Sequence, residues 1–278
     1  MEIVIPGKHK KAIYPILVFK EAWGICRKNL GKLSVTYLIF NLPIAAIYLT
    51  PMASKLQDQK PNLSTFLGFF LPVLILSIWG HIALLLGARK AVDFEGYKIS
   101  QNINQTSSFF LKYLGTVLLA ALSLMGIMIL GGLSVAMILA MLSKVNKILA
   151  ASICLGVVIL TVMSLIYFML RWSLATTVCV LENIRPVTAL KRSFSLVMEY
   201  VHPVVGTYCL ILVIYVACLL PFIVIASLFG IGGDTEQANR VGTIYSIIIN
   251  IVLVPFWSTI TVVLYKKLKE ALENHVHA

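Results

Sequence analysis

Long, almost uncharged apolar stretches recur along this 278-residue chain, and most of its charges lie in the segments between them. Backbone amides left unpaired in hydrocarbon cost several kcal/mol each, so a segment that crosses a bilayer must be helical, and about 20 residues suffice. The runs are Leu33 to Met52, Thr65 to Gly87, Leu114 to Leu142, Ile148 to Leu170, Pro203 to Phe229 and Thr243 to Leu264. They predict an all-α fold, a polytopic membrane bundle of six transmembrane helices forming one integral membrane domain over residues 1–278. Composition agrees: 59% of residues are hydrophobic and 12% charged, whereas a soluble domain carries about 25% charged residues.

Two runs exceed a perpendicular crossing. The third must tilt, or break at Gly131-Gly132, where two residues without side chains weaken the helix. The fourth continues past Arg171 to Leu181, about 51 Å if wholly helical, against a hydrocarbon core of about 30 Å. The chain must therefore project from the membrane or turn back near Arg171.

The formal charge of +12 does not point to nucleic acid, because the basic residues sit in short clusters beside apolar runs. With the N-terminus inside, 18 of the 23 Lys and Arg fall on inner segments, leaving only Lys55, Lys60, Lys144, Lys147 and Arg240 outside. The positive-inside rule then places both termini in the cytoplasm. Basic clusters at that leaflet make anionic lipid headgroups the expected partners. No protein partner is specified by the sequence. The five cysteines form no C-x-x-C pair and read as small core residues, and the N-terminal segment lacks the pattern of a cleavable signal.

Three inner segments have helical amphipathic spacing and predict helices that lie in the interface or dock on the cytoplasmic ends of the bundle, two placements that can coexist: Pro15 to Leu30, Ile99 to Tyr113 and Pro186 to Val201. In the last, Val187, Leu190, Phe194, Val197 and Val201 share one face, opposite Lys191, Arg192, Ser195 and Glu199. Each precedes two spans, which suggests three parallel repeat units, 12–88, 95–170 and 182–265. An offset of 87 puts Glu95 on Glu182, Lys98 on Arg185, Ser108 on Ser195 and Tyr113 on Tyr200. The Glu95/Lys98 and Glu182/Arg185 pairs, three residues apart, are expected to latch the amphipathic helices to the span ends. The alternative role for Arg171 is to face a lipid phosphate, which a guanidinium binds in bidentate fashion.

The stretch VLENIRPVTALKRSFSLVMEY, with Glu182, Ala189, Leu190, Ser193 and Leu196, resembles the family that includes the bacterial inner-membrane protein YciC and the membrane domain attached to some glycerophosphodiester phosphodiesterases. Pro255 and the closing LYKKLKE resemble that family's last span. The resemblance implies a bacterial inner-membrane location and an association with lipid metabolism, and it supplies no catalytic residues.

No enzyme signature is present: no G-x-S-x-G, H-E-x-x-H or Walker sequence, and no carboxylate pair within a span. The expectation is a chain without catalytic, cofactor-binding or metal-ligating residues. His81 is the one titratable side chain well inside an apolar run, and intramembrane ionisable groups are pointers to function. Asn41, Pro43, Asn250 and Pro255 also interrupt the spans. The leading expectation is a protein that binds, organises or moves lipid. The alternatives are a small-solute transporter or channel, and a scaffold that recruits a partner through its cytoplasmic helices.

Overall fold

The computed structural model describes residues 13–49, 68, 70–96, 98–142, 147–228 and 236–276, and among these every regular element is a helix. In chain order they are α1 (Pro15–Leu49), α2 (Leu71–Val92), α3 (Ile99–Leu142), α4 (Lys147–Trp172), α5 (Ala175–Glu182), α6 (Pro186–Glu199), α7 (Val201–Leu228) and α8 (Glu236–Val276). Five described segments are long and apolar enough to cross a membrane: Leu71–Val92, Ile99–Met141, Lys147–Glu182, Val201–Pro221 and Val241–Asn274. The chain is therefore a multi-pass helical membrane protein. The far end of the first expected span, Leu33 to Met52, and the start of the second lie outside the described residues.

Two of the three expected interfacial helices are not separate elements. Pro15 to Leu30 is the opening of α1, and Ile99 to Tyr113 the opening of α3, each continuous with the span that follows. The physical reason is the absence of a stop. Only Gly31 and Gly115 mark these junctions, and one helical glycine costs about 1 kcal/mol relative to alanine, too little to end a helix held on both sides. Gly131-Gly132 likewise does not break α3.

The third amphipathic segment is a distinct helix, α6, because the chain before it cannot stay helical. Asn183 is left-handed (φ 54°), a conformation that asparagine tolerates at a helix C-terminus. Lys112 holds it there, its ammonium donating to the Asn183 carbonyl at 3.2 Å and to Oδ1 at 2.8 Å. Pro186 then forbids helical backbone at Arg185, which is extended (φ −71°, ψ 153°), and its own fixed φ suits the first turn of α6.

The chain divides into two compact units, Met1–Leu111 with His202–Ala278, and Lys112–Val201. In the first, α1, α2 and α8 pack on one another around Leu33, Ile82, Leu84, Leu85, Ile260 and Leu264, all fully buried. Gly80 brings α1 and α2 close, since a Cβ there would lie 2.8 Å from Phe40 Cβ. Small residues allow this in membranes, where lipid competes for every apolar face. Pro255 leaves the Ile251 carbonyl without its i+4 amide partner, and the Ser34 hydroxyl of α1 donates to that carbonyl at 2.9 Å. A neighbouring helix thus completes the backbone hydrogen bonding that the proline interrupts.

Cys26, early in α1, is also fully buried. Burial pushes its thiol up to about 11, against the smaller opposite effect of a hydrogen bond with Thr259. Thiolate is the reactive form, so at pH 8 Cys26 is expected to react with N-ethylmaleimide at least about tenfold more slowly than a cysteine placed at exposed Ser195 (Ser195→Cys). The gap should narrow as pH rises towards 11. Equal rates at pH 8 would contradict this packing of α1.

Candidate functional site

In the second unit, α6 folds back against α4 and α5. The α4 helix ends at Trp172, with a turn at Ser173–Leu174 that directs the chain into the short helix α5. Ser173 closes this end, its hydroxyl donating to the Leu170 carbonyl at 2.8 Å. The fourth run is thus interrupted two residues after Arg171, short of Leu181. Within α6, Ala189, Leu190, Ser193, Leu196 and Val197 are buried, while Val187, Lys191, Ser195 and Met198 are exposed.

Arg171, in the last turn of α4, is the centre of this corner. Its residue exposure is 8%, and its guanidinium carbon lies 4.8 Å from the centroid of the Tyr167 ring and 4.9 Å from that of Phe194. The backbone is fixed from the other side, with the buried Ser193 hydroxyl donating to the Arg171 carbonyl at 2.7 Å. Among the described residues its Nη1 has no hydrogen-bond partner. Two aromatic faces attract the cation, each by about 1 to 2 kcal/mol when desolvated, but neither accepts an in-plane hydrogen bond. Arginine cannot shed its proton to escape the burial.

The ion pair formed by Glu182 is with Arg192, Oε1 to Nε 3.8 Å. The expected i, i+3 pair with Arg185 is replaced because the helix ends at Asn183, so Arg185 lies beyond the turn instead of on the same helical face. Arg185 and Lys191 are exposed. Beside Arg171, an open cleft is lined by Trp172, Val187, Leu190, Lys191 and Phe194, so the Phe194 ring both covers the guanidinium and forms a wall of the cleft.

In the first unit, Glu95 and Lys98 are exposed between α2 and α3, and Asp93 carries the ties there. It pairs with Arg89 at 3.7 Å and with Lys266 of α8, while Lys267 reaches Glu21 of α1 at 2.6 Å. Such partly exposed pairs each contribute about 0 to 1 kcal/mol, so they set register more than stability. His81 is half-buried in α2. Asn41 and Asn250 bond locally, to the Tyr37 carbonyl and to Ser246 Oγ, and do not converge on a site. Sequence reasoning missed Tyr167 and Phe194 as the shell of Arg171. The signal available was Tyr167 one helical turn before Arg171. Both amide atoms of Asn102 and the Tyr200 hydroxyl are also buried without a partner among the described residues. Among the described residues no group of three or more His, Cys, Asp or Glu is placed to hold a metal ion.

These features define a multi-pass membrane protein with a buried arginine beneath an amphipathic helix. No family model, curated protein or solved structure matches the chain.

Proposed function

We propose that this is a non-enzymatic protein of the bacterial inner membrane, related to the YciC-like family, that binds, organises or moves lipid at the cytoplasmic leaflet. The observation that carries the reading is the α4–α6 corner: a desolvated arginine without an acidic partner among the described residues, next to an open, largely apolar cleft on an amphipathic helix. Aqueous solutes have little to gain from such a cleft, whereas a lipid presents both an anion and an apolar body to it.

The reading includes six spans with both termini inside and a parallel threefold repeat. Support for the crossing count comes from the ion pairs: Asp93 with Lys266 and Glu21 with Lys267 put the start of α1 and the ends of α2 and α8 at one end of the first unit, and the orientation itself rests on the basic residues of the inner segments. Support for the repeat comes from helix register. The fourth and eighth residues of α1 (Val18, Ala22), of α3 (Asn102, Thr106) and of α6 (Ala189, Ser193) are all buried. The 87-residue offset relates α3 to α6 and also places buried Tyr113 on buried Tyr200, and the first copy joins when aligned by helix start, Pro15 on Ile99. Among the described residues the two non-glycine residues with positive φ, Phe94 and Asn183, sit where one unit's second span gives way to the next amphipathic segment.

Reporter fusions after Phe94, Ile184 and Leu272 should report the cytoplasm, and fusions after Leu56 and Val145 the outer compartment. A cytoplasmic signal at Val145 removes the fourth span and the repeat with it. For the lipid reading, native mass spectrometry of protein released from mild detergent should show retained phospholipid, with anionic species enriched over their share of the source membrane. Lipid-free protein, or adducts in bulk proportion, would contradict it.

A further inference from the structure

The charges of the α4–α6 corner do not cancel. Arg192 is matched by Glu182. Arg171 is nine-tenths buried and has Nη1 unpartnered, and Lys191 stands exposed on the rim of the adjoining cleft. We propose that Arg171 and this cleft form a binding site for one anionic phospholipid, the phosphate taken by the Arg171 guanidinium with Lys191 at its edge, and an acyl chain laid along Trp172, Val187, Leu190 and Phe194. This assignment rests on the lipid reading above and adds the ligand class and the residues that hold it.

The physical case has three parts. First, an uncompensated buried charge is strongly unfavourable, and removing the partner of such a charge costs several kcal/mol. A guanidinium caged by two rings therefore gains from an anion that its fork can grip through two oxygens. Second, the guanidinium is positioned by the chain and not by its ligand: Ser193 holds the Arg171 carbonyl, and the Tyr167 and Phe194 rings, packed edge to face on each other, lie against the guanidinium on adjacent sides. Third, Phe194 is half-buried, lies against the guanidinium and also lines the cleft, and the proposed site forms when this ring turns aside and lets the two meet. A free phosphate would use the guanidinium and leave the apolar walls wet. A phospholipid fills both.

The test uses the full-length protein in a neutral detergent, its thermal midpoint measured with added phosphatidylglycerol, phosphatidylcholine or inorganic phosphate. At about a hundred times the dissociation constant, phosphatidylglycerol should raise the midpoint by about 5 °C, and the other two by much less. Arg171→Gln should abolish that shift, and Ser195→Gln should leave it intact. Should Arg171→Gln not fold, Arg171→Lys keeps the charge without the fork and should weaken the apparent affinity about tenfold. An equal shift in the wild type and both Arg171 variants would overturn the site while leaving the lipid reading in place. No shift by phosphatidylglycerol in any protein would remove the lipid reading itself. A shift produced equally by inorganic phosphate would overturn the phospholipid assignment in favour of a free-anion site.

Discussion

Ser34→Ala should destabilise the protein by about 1 to 2 kcal/mol, the cost of leaving a partly buried carbonyl unsatisfied away from water, and the loss should vanish when Pro255 is also replaced by alanine. In the native chain Pro255 offers no amide to the Ile251 carbonyl, and Ser34 fills that place from α1 at 2.9 Å. An alanine at 255 restores the intrahelical amide, so the serine loses its task. The measurement is a double-mutant cycle on unfolding in mixed micelles, where residues that share a partner show a coupling energy and independent ones do not. Additive losses from Ser34→Ala and Pro255→Ala would contradict the pairing of α1 with α8. Membrane hydrogen bonds average less than this range because the unfolded chain also finds partners in lipid. A backbone carbonyl orphaned by proline is the case in which the full cost is expected.

The second large effect concerns two glycines that each receive a proline. A Cβ on Gly115 would lie 2.9 Å from Pro186 Cγ, and one on Gly206 would lie 2.6 Å from Pro15 Cγ. Glycine to alanine in a helix ordinarily stabilises by about 0.5 to 1 kcal/mol. Here the added methyl meets a rigid ring at the first residue of an amphipathic segment, and overpacking of this kind costs about 1 to 3 kcal/mol. Gly115→Ala and Gly206→Ala should therefore lower the thermal midpoint. Gly126→Ala and Gly132→Ala, with nothing within 4 Å of the new atom, should hold or raise it. A uniform response of all four would mean that neither proline is seated as described.

The two glycines also show where sequence reading stops. The α6 helix was legible because Pro186 dictates both the extended Arg185 before it and the first turn after it. The excess length of the run through Arg171 was legible as well, but the sequence left open whether the helix projects or is interrupted there, and the interruption falls at Ser173–Leu174. What periodicity cannot report is continuity: the amphipathic faces at Pro15 and Ile99 look like separate helices, and only the lack of a terminator makes them the openings of α1 and α3. Tertiary pairing is equally hidden. Glu182 has Arg185 three residues away and takes Arg192 instead, because the intervening turn reorients the chain. Likewise Asp93, not Glu95, carries the ties at the end of α2. Arg171 could be singled out from the sequence as the one charge inside an over-long apolar run. Its cage of Tyr167 and Phe194 could not, because Phe194 arrives from another helix.

The central claim is that the cation at position 171 is completed by lipid and not by protein. An electron cryomicroscopy map of the full-length protein in nanodiscs containing phosphatidylglycerol addresses it directly. The account predicts a phosphate-sized density within hydrogen-bond distance of the Arg171 guanidinium, continuous with an acyl chain along Trp172, Val187, Leu190 and Phe194. A carboxylate of this chain seated on Arg171, with the cleft closed by protein side chains, would contradict it.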